Sequence, residues 1–203
     1  MLHKPPYNLA VFASGAGSNA QKIITHFNHS QLGRVTLVVC NKPGAGVLAI
    51  AAQEGIPSLL VERERFFRGD GYVPELQQAG IDLVVLAGFL WKVPPALLQA
   101  FPQRILNIHP ALLPNYGGKG MYGHHVHEAV RASGDAESGI TIHYVDDQYD
   151  HGATIFQARC PVTAEDDAAA IAKKVQHLEH QHYPQVIEDV LRKMADFRME
   201  NGE

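Results

Sequence analysis

The run Ile81–Phe89, IDLVVLAGF, is apolar at consecutive rather than alternating positions over most of its length. A strand with one face in water alternates apolar and polar side chains. A near-continuous run therefore belongs to a strand covered on both faces, as in parallel sheets flanked by helices. Similar short runs recur at Leu9–Ala13, Val35–Cys40, Ser58–Val61, Leu83–Ala87 and Ile105–Ile108, and longer segments of helical spacing start near Ser18, Val47, Tyr72 and Pro94. This alternation is the pattern of βαβ units. Gly139–Val145 and Thr154–Cys160 flank the polar loop DDQYDHG and read as an antiparallel or mixed addition. The expected fold is α/β: a single-domain, doubly wound, mostly parallel sheet with helices on both faces and a mixed C-terminal extension.

Thr163, with Asp166 three residues on, has the form of a capping box opening a long C-terminal helix through about Tyr183. Pro184 permits a break or kink there. A helical continuation then ends in a flexible tail over 198–203. At 203 residues and 46% hydrophobic, the chain suffices for one sizeable core, so one domain is expected over 1–203. Within it, about 8–110 forms a phosphate-binding half and about 111–190 a catalytic half.

The formal charge of −4, with 17 scattered basic residues, gives no footprint for nucleic acid or an anionic membrane surface. A small-molecule partner is favoured. No segment approaches the roughly 18 uninterrupted apolar residues of a membrane span, and the N-terminus has no apolar export core. Cys40 and Cys160 lie in strand-like runs without a CxxC partner and read as buried free thiols of a reducing, cytoplasmic compartment.

Two places carry chemistry. The first is VFASGAGSNAQKII: strand, glycines, then Ser18 and Asn19 at a helix start. Glycines let the backbone approach a ligand, and a helix N-terminus offers unpaired N–H groups to a phosphate. The alternative is a tight turn capped by Ser18 or Asn19. A dinucleotide would want a carboxylate at the end of the second strand, where Cys40, Asn41 and Lys42 stand instead, so a phosphate monoester fits better. The second is ILNIHP. Asn107 and His109 are two apart, so they share one face of a strand that Pro110 ends. Ligands of open α/β sheets bind at such carboxyl ends. An amide and an imidazole together suit attack of an amine on a carbonyl-like carbon. One of Asp146, Asp147 and Asp150 could stabilise an imidazolium there, and spacing does not choose among them.

SGAGSN, LAGF, NIHPALLP, SGITIHYVDDQYDHG and HLEHQHYP occur in this order over nearly the whole chain. In this the sequence resembles the folate-dependent formyltransferases, and among them the phosphoribosylglycinamide formyltransferase family of purine synthesis. The resemblance implies direct transfer of a formyl group from 10-formyltetrahydrofolate to the amine of 5-phosphoribosylglycinamide, without acyl-enzyme or metal. It implies Asn107 and protonated His109 as stabilisers of the tetrahedral oxyanion, and Asp150 as the group that keeps His109 charged and assists proton movement. It further implies Gly17, Ser18 and Asn19 at the phosphate, Glu179 at the ribose hydroxyls and His143 in support. The folate pocket is implied at Leu90, Trp91, Lys92 and Val93 with Asp146, Asp147, Gln148 and Tyr149. The arginine for the folate carboxylate is expected at Arg68, with Arg65 and Arg63 as alternatives. Trp91 stands where many relatives carry arginine, and the loop PNYGGKGMYGHHVHEAV is longer than the usual turn.

Metal binding is not expected. His124, His125 and His127 lack the i, i+4 spacing of a helical zinc pair, and His177 and His180 imply no third ligand. Formyltetrahydrofolate hydrolysis, betrayed by formate release, and a non-catalytic nucleotide sensor, which would bind without turnover, are the alternative functions. A monomer or homodimer is compatible with the sequence.

Overall fold

The structure is a computed structural model that describes residues 6–201. In chain order it comprises β1 (Tyr7–Ala13), α1 (Ser18–Phe27), β2 (Gly33–Cys40), α2 (Gly46–Gln53), β3 (Ser58–Leu60), α3 (Arg63–Arg68) and α4 (Val73–Gln78). There follow β4 (Leu83–Leu86), α5 (Pro95–Ala100), β5 (Ile105–His109), α6 (His124–Ser133), β6 (Glu137–Tyr144), β7 (Thr154–Pro161) and α7 (Ala168–Asn201). The strands form one sheet in the order β3-β2-β1-β4-β5-β6-β7. β1 to β5 pair in parallel, while β6 and β7 join antiparallel. This is the doubly wound, mostly parallel arrangement that the apolar runs imply.

Successive residues of the central strands serve two cores. Leu9, Val11, Val85 and Leu106 meet α1, α2, α6 and α7, whereas Ala10, Phe12, Val84 and Ile105 meet Phe66 of α3, Leu76 of α4 and Leu97 of α5. The strand order reverses between β1 and β4. Their connections leave in opposite directions, so a crevice opens at the carboxyl ends of the strands.

The C-terminal helix departs from expectation in three ways. It starts at Ala168, not at Thr163: Asp166 Oδ2 accepts from Thr163 N at 2.8 Å within the preceding turn, and Asp167 Oδ1 takes Ala170 N at 2.7 Å. It also runs through Pro184 without a break. A helix-interior proline costs about 3 kcal/mol or more. Beyond it Val186, Ile187, Val190 and Leu191 are buried, each contributing roughly 1.5–3 kcal/mol, so packing outweighs the lost hydrogen bond. Finally, residues 198–201 are helical rather than a flexible tail, and 202–203 lie outside the described residues. Tyr183 pins α7 to the sheet, its hydroxyl donating to Leu86 O at 2.9 Å at the end of β4. Glu179 is one turn earlier on α7 and so hangs beside that strand end. Helices α3 and α6 are additions that apolar spacing did not announce.

Candidate active site

A cavity of about 750 Å³ occupies the crevice, bordered by Asn19, Leu86 to Val93 without Ala87, Asn107 to Pro110, His143, Asp150 and Glu179. This is the size of an ordinary small-molecule site. Its wall comes from the carboxyl ends of β4 and β5, the start of α1, the middle of α7 and the loops before α6 and β7.

β5 delivers two side chains. It extends one residue further than expected, to His109, which pairs with Thr141 of β6 while Asn107 pairs with His143. Asn107 Nδ2 lies 3.1 Å from His143 Nε2, and His143 Nδ1 lies 2.8 Å from Tyr144 O. A carbonyl only accepts, so Nδ1 carries the ring proton and Nε2 accepts. The orientation of Asn107 is thereby fixed: its nitrogen faces His143 and keeps a second N–H for the cavity.

His109 is 3% exposed. Its Nε2 donates to Tyr116 O at 2.7 Å, and its Nδ1 stands 3.5 Å from Asp150 Oδ1. Burial pushes His109 below the ordinary histidine value, against the opposing pull of Asp150 and the Tyr116 carbonyl. The Asp150 carboxylate favours the imidazolium, and burial outweighs it. For Asp150, burial pushes the other way and is outweighed: the neighbouring imidazoles of His143 and His109 and the Gly118 N–H together hold the carboxyl below the usual range. Gly118 N donates to Asp150 Oδ2 at 3.0 Å.

Asp150 owes its place to a strained turn. Its φ of 54° is left-handed, a conformation aspartate tolerates better than most residues. Two residues on, Gly152 lies so close to Tyr144 O that any Cβ would collide with it. Of the other aspartates, Asp146 accepts from Gln148 N at 2.8 Å and meets His151 at 3.1 Å, which makes it the turn former. Asp147 does not line the main cavity and borders a small neighbouring one.

At the other end, Gly17 caps α1 with φ 85°, and neither Ser18 nor Asn19 does so. A Cβ on Gly17 would come within 2.8 Å of Val47 Cβ. With no side-chain cap, the first-turn N–H groups remain open, as an anion site requires. Asn19 lines the cavity and donates to Glu179 Oε2 at 2.9 Å. Its buried Oδ1 has no partner among the described residues. Burial pushes the Glu179 carboxyl up, with the Asn19 amide opposing. Gly17 and Ser18 do not line the cavity, and Ser18 Oγ receives a long bond of 3.4 Å from Gln176.

Leu90, Trp91, Lys92 and Val93 border the cavity, as do Asp146, Gln148 and Tyr149. Lys92 Nζ sits 5.5 Å from the centre of the Tyr149 ring. Arg68 does not reach this wall: it is exposed and pairs with Glu64 at 3.1 Å. Arg65 is committed to Asp70 and Glu75. Arg63 lies over Phe67 and Trp91, at 5.3 and 5.9 Å from their ring centres; none of the three borders the cavity, and Arg63 is the one that contacts a residue, Trp91, that does. Sequence reasoning also missed Lys119 and the cavity role of His127, both of which border the cavity. His127 had a usable signal, since it stands with Val126 and Val130 on the apolar face of α6. Among the described residues no group of three or more His, Cys, Asp or Glu could hold a metal ion, and no helix is long and apolar enough to cross a membrane. Cys40 and Cys160 are free and buried.

The chain is similar to known proteins in both sequence and fold. A model of the formyl transferase family matches residues 7–187. The chloroplastic phosphoribosylglycinamide formyltransferase of Arabidopsis thaliana is 43% identical over 196 residues, covering 94% of this chain and 67% of that protein. The Vigna unguiculata protein of the same name is also 43% identical, but the chain spans only 59% of its length. The Escherichia coli phosphoribosylglycinamide formyltransferase is 38% identical over 89% of this chain and 85% of its own. Among solved structures, the phosphoribosylglycinamide formyltransferase of Streptococcus pneumoniae superposes with a TM-score of 0.80 at 37% identity, covering 91% of this chain and 98% of that one. That of Anaplasma phagocytophilum gives 0.84 at 31%, covering 93% and 88%.

Proposed function

The chain belongs to the formyl transferase family, and from that premise we propose that it transfers the formyl group of 10-formyltetrahydrofolate to the amine of 5-phosphoribosylglycinamide. The observation that carries this reading is the convergence of Asn107 Nδ2, His109 Nδ1 and the Asp150 carboxylate on one cavity at the end of β5.

The substrate amine attacks the formyl carbon, forming a C–N bond and turning the carbonyl oxygen into an oxyanion. The free N–H of Asn107 meets that oxygen. His109 is held by Tyr116 at Nε2 and presents Nδ1 on the reacting side. Neutral at rest, it becomes imidazolium as negative charge develops beside it, because charge of opposite sign favours the protonated form. The proton comes from the attacking amine, which turns cationic on attack, and Asp150 is placed to relay it. Returning a proton to the folate nitrogen lets the old C–N bond break, giving the formamide and tetrahydrofolate. No covalent enzyme intermediate is needed. These donors stand ready before reaction, so they oppose the developing charge without first reorganising.

The open N–H groups of α1 with Ser18 and Asn19 take the phosphate, and Glu179 takes the ribose hydroxyls. The folate lies along Leu90–Val93 and Asp146–Tyr149, and Arg63 rather than Arg68 meets its carboxylate tail. The test is an assay with both substrates that follows tetrahydrofolate and formylated product together. Equal amounts of each are expected. Formate in place of formylated amine supports hydrolysis instead, and binding without turnover supports a sensor.

A further inference from the structure

Tyr116 stands between both reacting groups and the body of the fold, and the reaction as described gives its side chain no part. Its carbonyl accepts from His109 Nε2 at 2.7 Å, and two residues on Gly118 N donates to Asp150 Oδ2 at 3.0 Å. The loop enters this stretch already fixed to the sheet: Leu113 N donates to Thr141 Oγ1 of β6, and Gln157 Nε2 of β7 donates to Leu113 O, each at 2.9 Å. On the far side the attachment is the Tyr116 hydroxyl, which donates to the Asp135 carboxylate and lies 2.6 Å from Ser133 Oγ at the end of α6. The backbone of Tyr116 is left-handed, with φ 56°. A bulky side chain resists that conformation, and such strain persists only where the surroundings over-determine it. Glycine would meet it freely. A tyrosine here is accounted for by what its ring reaches.

The consequence falls on His109. Because a carbonyl only accepts, Tyr116 O keeps a proton on Nε2 and turns Nδ1 toward Asp150, 3.5 Å away. That carbonyl also favours the imidazolium, as does Asp150, while burial and His143 of β6 oppose it; the imidazole of His127 in α6 interacts with it electrostatically. Moving the carbonyl therefore changes both the aim of the ring and its proton affinity. We propose that Tyr116 is a positioning residue for His109: through its hydroxyl, moored to Asp135 and Ser133, it holds the carbonyl that orients the imidazole and readies Nδ1 to take the proton of the attacking amine. The inference rests on the reaction proposed above, which gives His109 that task. Asp135 bonds Tyr116 and makes no hydrogen bond or ion pair with His109 among the described residues, so its influence on the imidazole passes through Tyr116.

Tyr116→Phe keeps the ring and removes the hydroxyl; Asp135→Ala removes the acceptor, and Asp135→Asn keeps a neutral one. The titration of His109 is followed by nitrogen NMR of the free, histidine-labelled protein, its signal assigned by its absence from His109→Ala, and kcat, KM and Tm are measured alongside. In Tyr116→Phe the His109 titration should move down by about half a pH unit, roughly a threefold loss of proton affinity. Its kcat should fall about threefold to tenfold, the order of a single exposed hydrogen bond, with KM unchanged for both substrates. Asp135→Ala should match it, and Asp135→Asn, whose amide oxygen still accepts, should recover kcat to within about twofold of the parent. A lowered Tm with kcat and the His109 titration unchanged overturns the proposal, because the tether is then only structural. So does a raised KM at unchanged kcat, or a loss in Tyr116→Phe that Asp135→Ala does not reproduce. A parent protein that forms no formylated amine overturns the reaction itself; that is seen before any variant is made, and the His109 titration in the free protein still reads whether the tether acts.

Discussion

The end of β5 and the loops that close over it build the same site by opposite means. β5 lies inside the sheet, paired with β4 and β6, and contributes side chains: Asn107 and His109 are where they are because strand geometry puts alternate residues on one face. The loops contribute mostly backbone. Tyr116 O fixes His109 and Gly118 N holds Asp150, while Tyr144 O, at the end of β6 where the next loop begins, sets the tautomer of His143. Even Tyr116 is held from outside, its hydroxyl bonded to Asp135 and lying 2.6 Å from Ser133 Oγ. The strand thus decides which groups react, and the loops decide in what protonation state and orientation they wait.

That division can be broken from either side. The largest effect is expected on the loop side: Gly152→Ala drives a methyl group into Tyr144 O, and should destabilise by about 4 kcal/mol or more by denaturant titration. A loss below about 1 kcal/mol would mean the turn carrying Asp150 is not fixed by this contact. On the strand side, His109→Ala should lower kcat by about a thousandfold with the amine substrate still bound. Asn107→Ala removes one oxyanion donor and should cost on the order of a hundredfold. Equal losses in the two would contradict the separate roles given to them.

A pH experiment sharpens the comparison further. His109 and His127 are both pushed below their reference value of 6.5 by burial. Below pH 6.5 the unfolded chain binds protons that the fold refuses. Stability should therefore be level above that value and fall as pH drops toward the depressed values, by up to about 1.4 kcal/mol per pH unit for each group. Melting temperatures from pH 8 to pH 5 check the sign. The smallest effect is expected at Arg68→Ala, which loses only an exposed pair with Glu64. It should leave stability within about 0.5 kcal/mol and the KM for the folate unchanged, whereas Arg63→Ala should raise that KM.

The same contrast explains what the sequence made legible. Consecutive apolar residues at Leu83–Leu86 announce a doubly covered strand, and the two-residue spacing of Asn107 and His109 announces a shared face, because both are consequences of period. Backbone donors such as Gly118 N–H have no residue signature, and one aspartate of three could be singled out only by family resemblance. Local proline chemistry permits a break at Pro184; that α7 passes through it depends on the four aliphatic side chains beyond, whose burial is a tertiary fact. Which of Arg63, Arg65 and Arg68 is already paired with a carboxylate is likewise invisible to spacing.

The most direct test follows the carbon itself. With 10-formyltetrahydrofolate labelled at the formyl carbon, a single turnover quenched over its time course and read by mass spectrometry should show label moving from folate to the amine of phosphoribosylglycinamide. None should appear on the protein or in formate. Label on the protein, or formate as the main product, would contradict direct transfer between two nitrogens held by Asn107, His109 and Asp150.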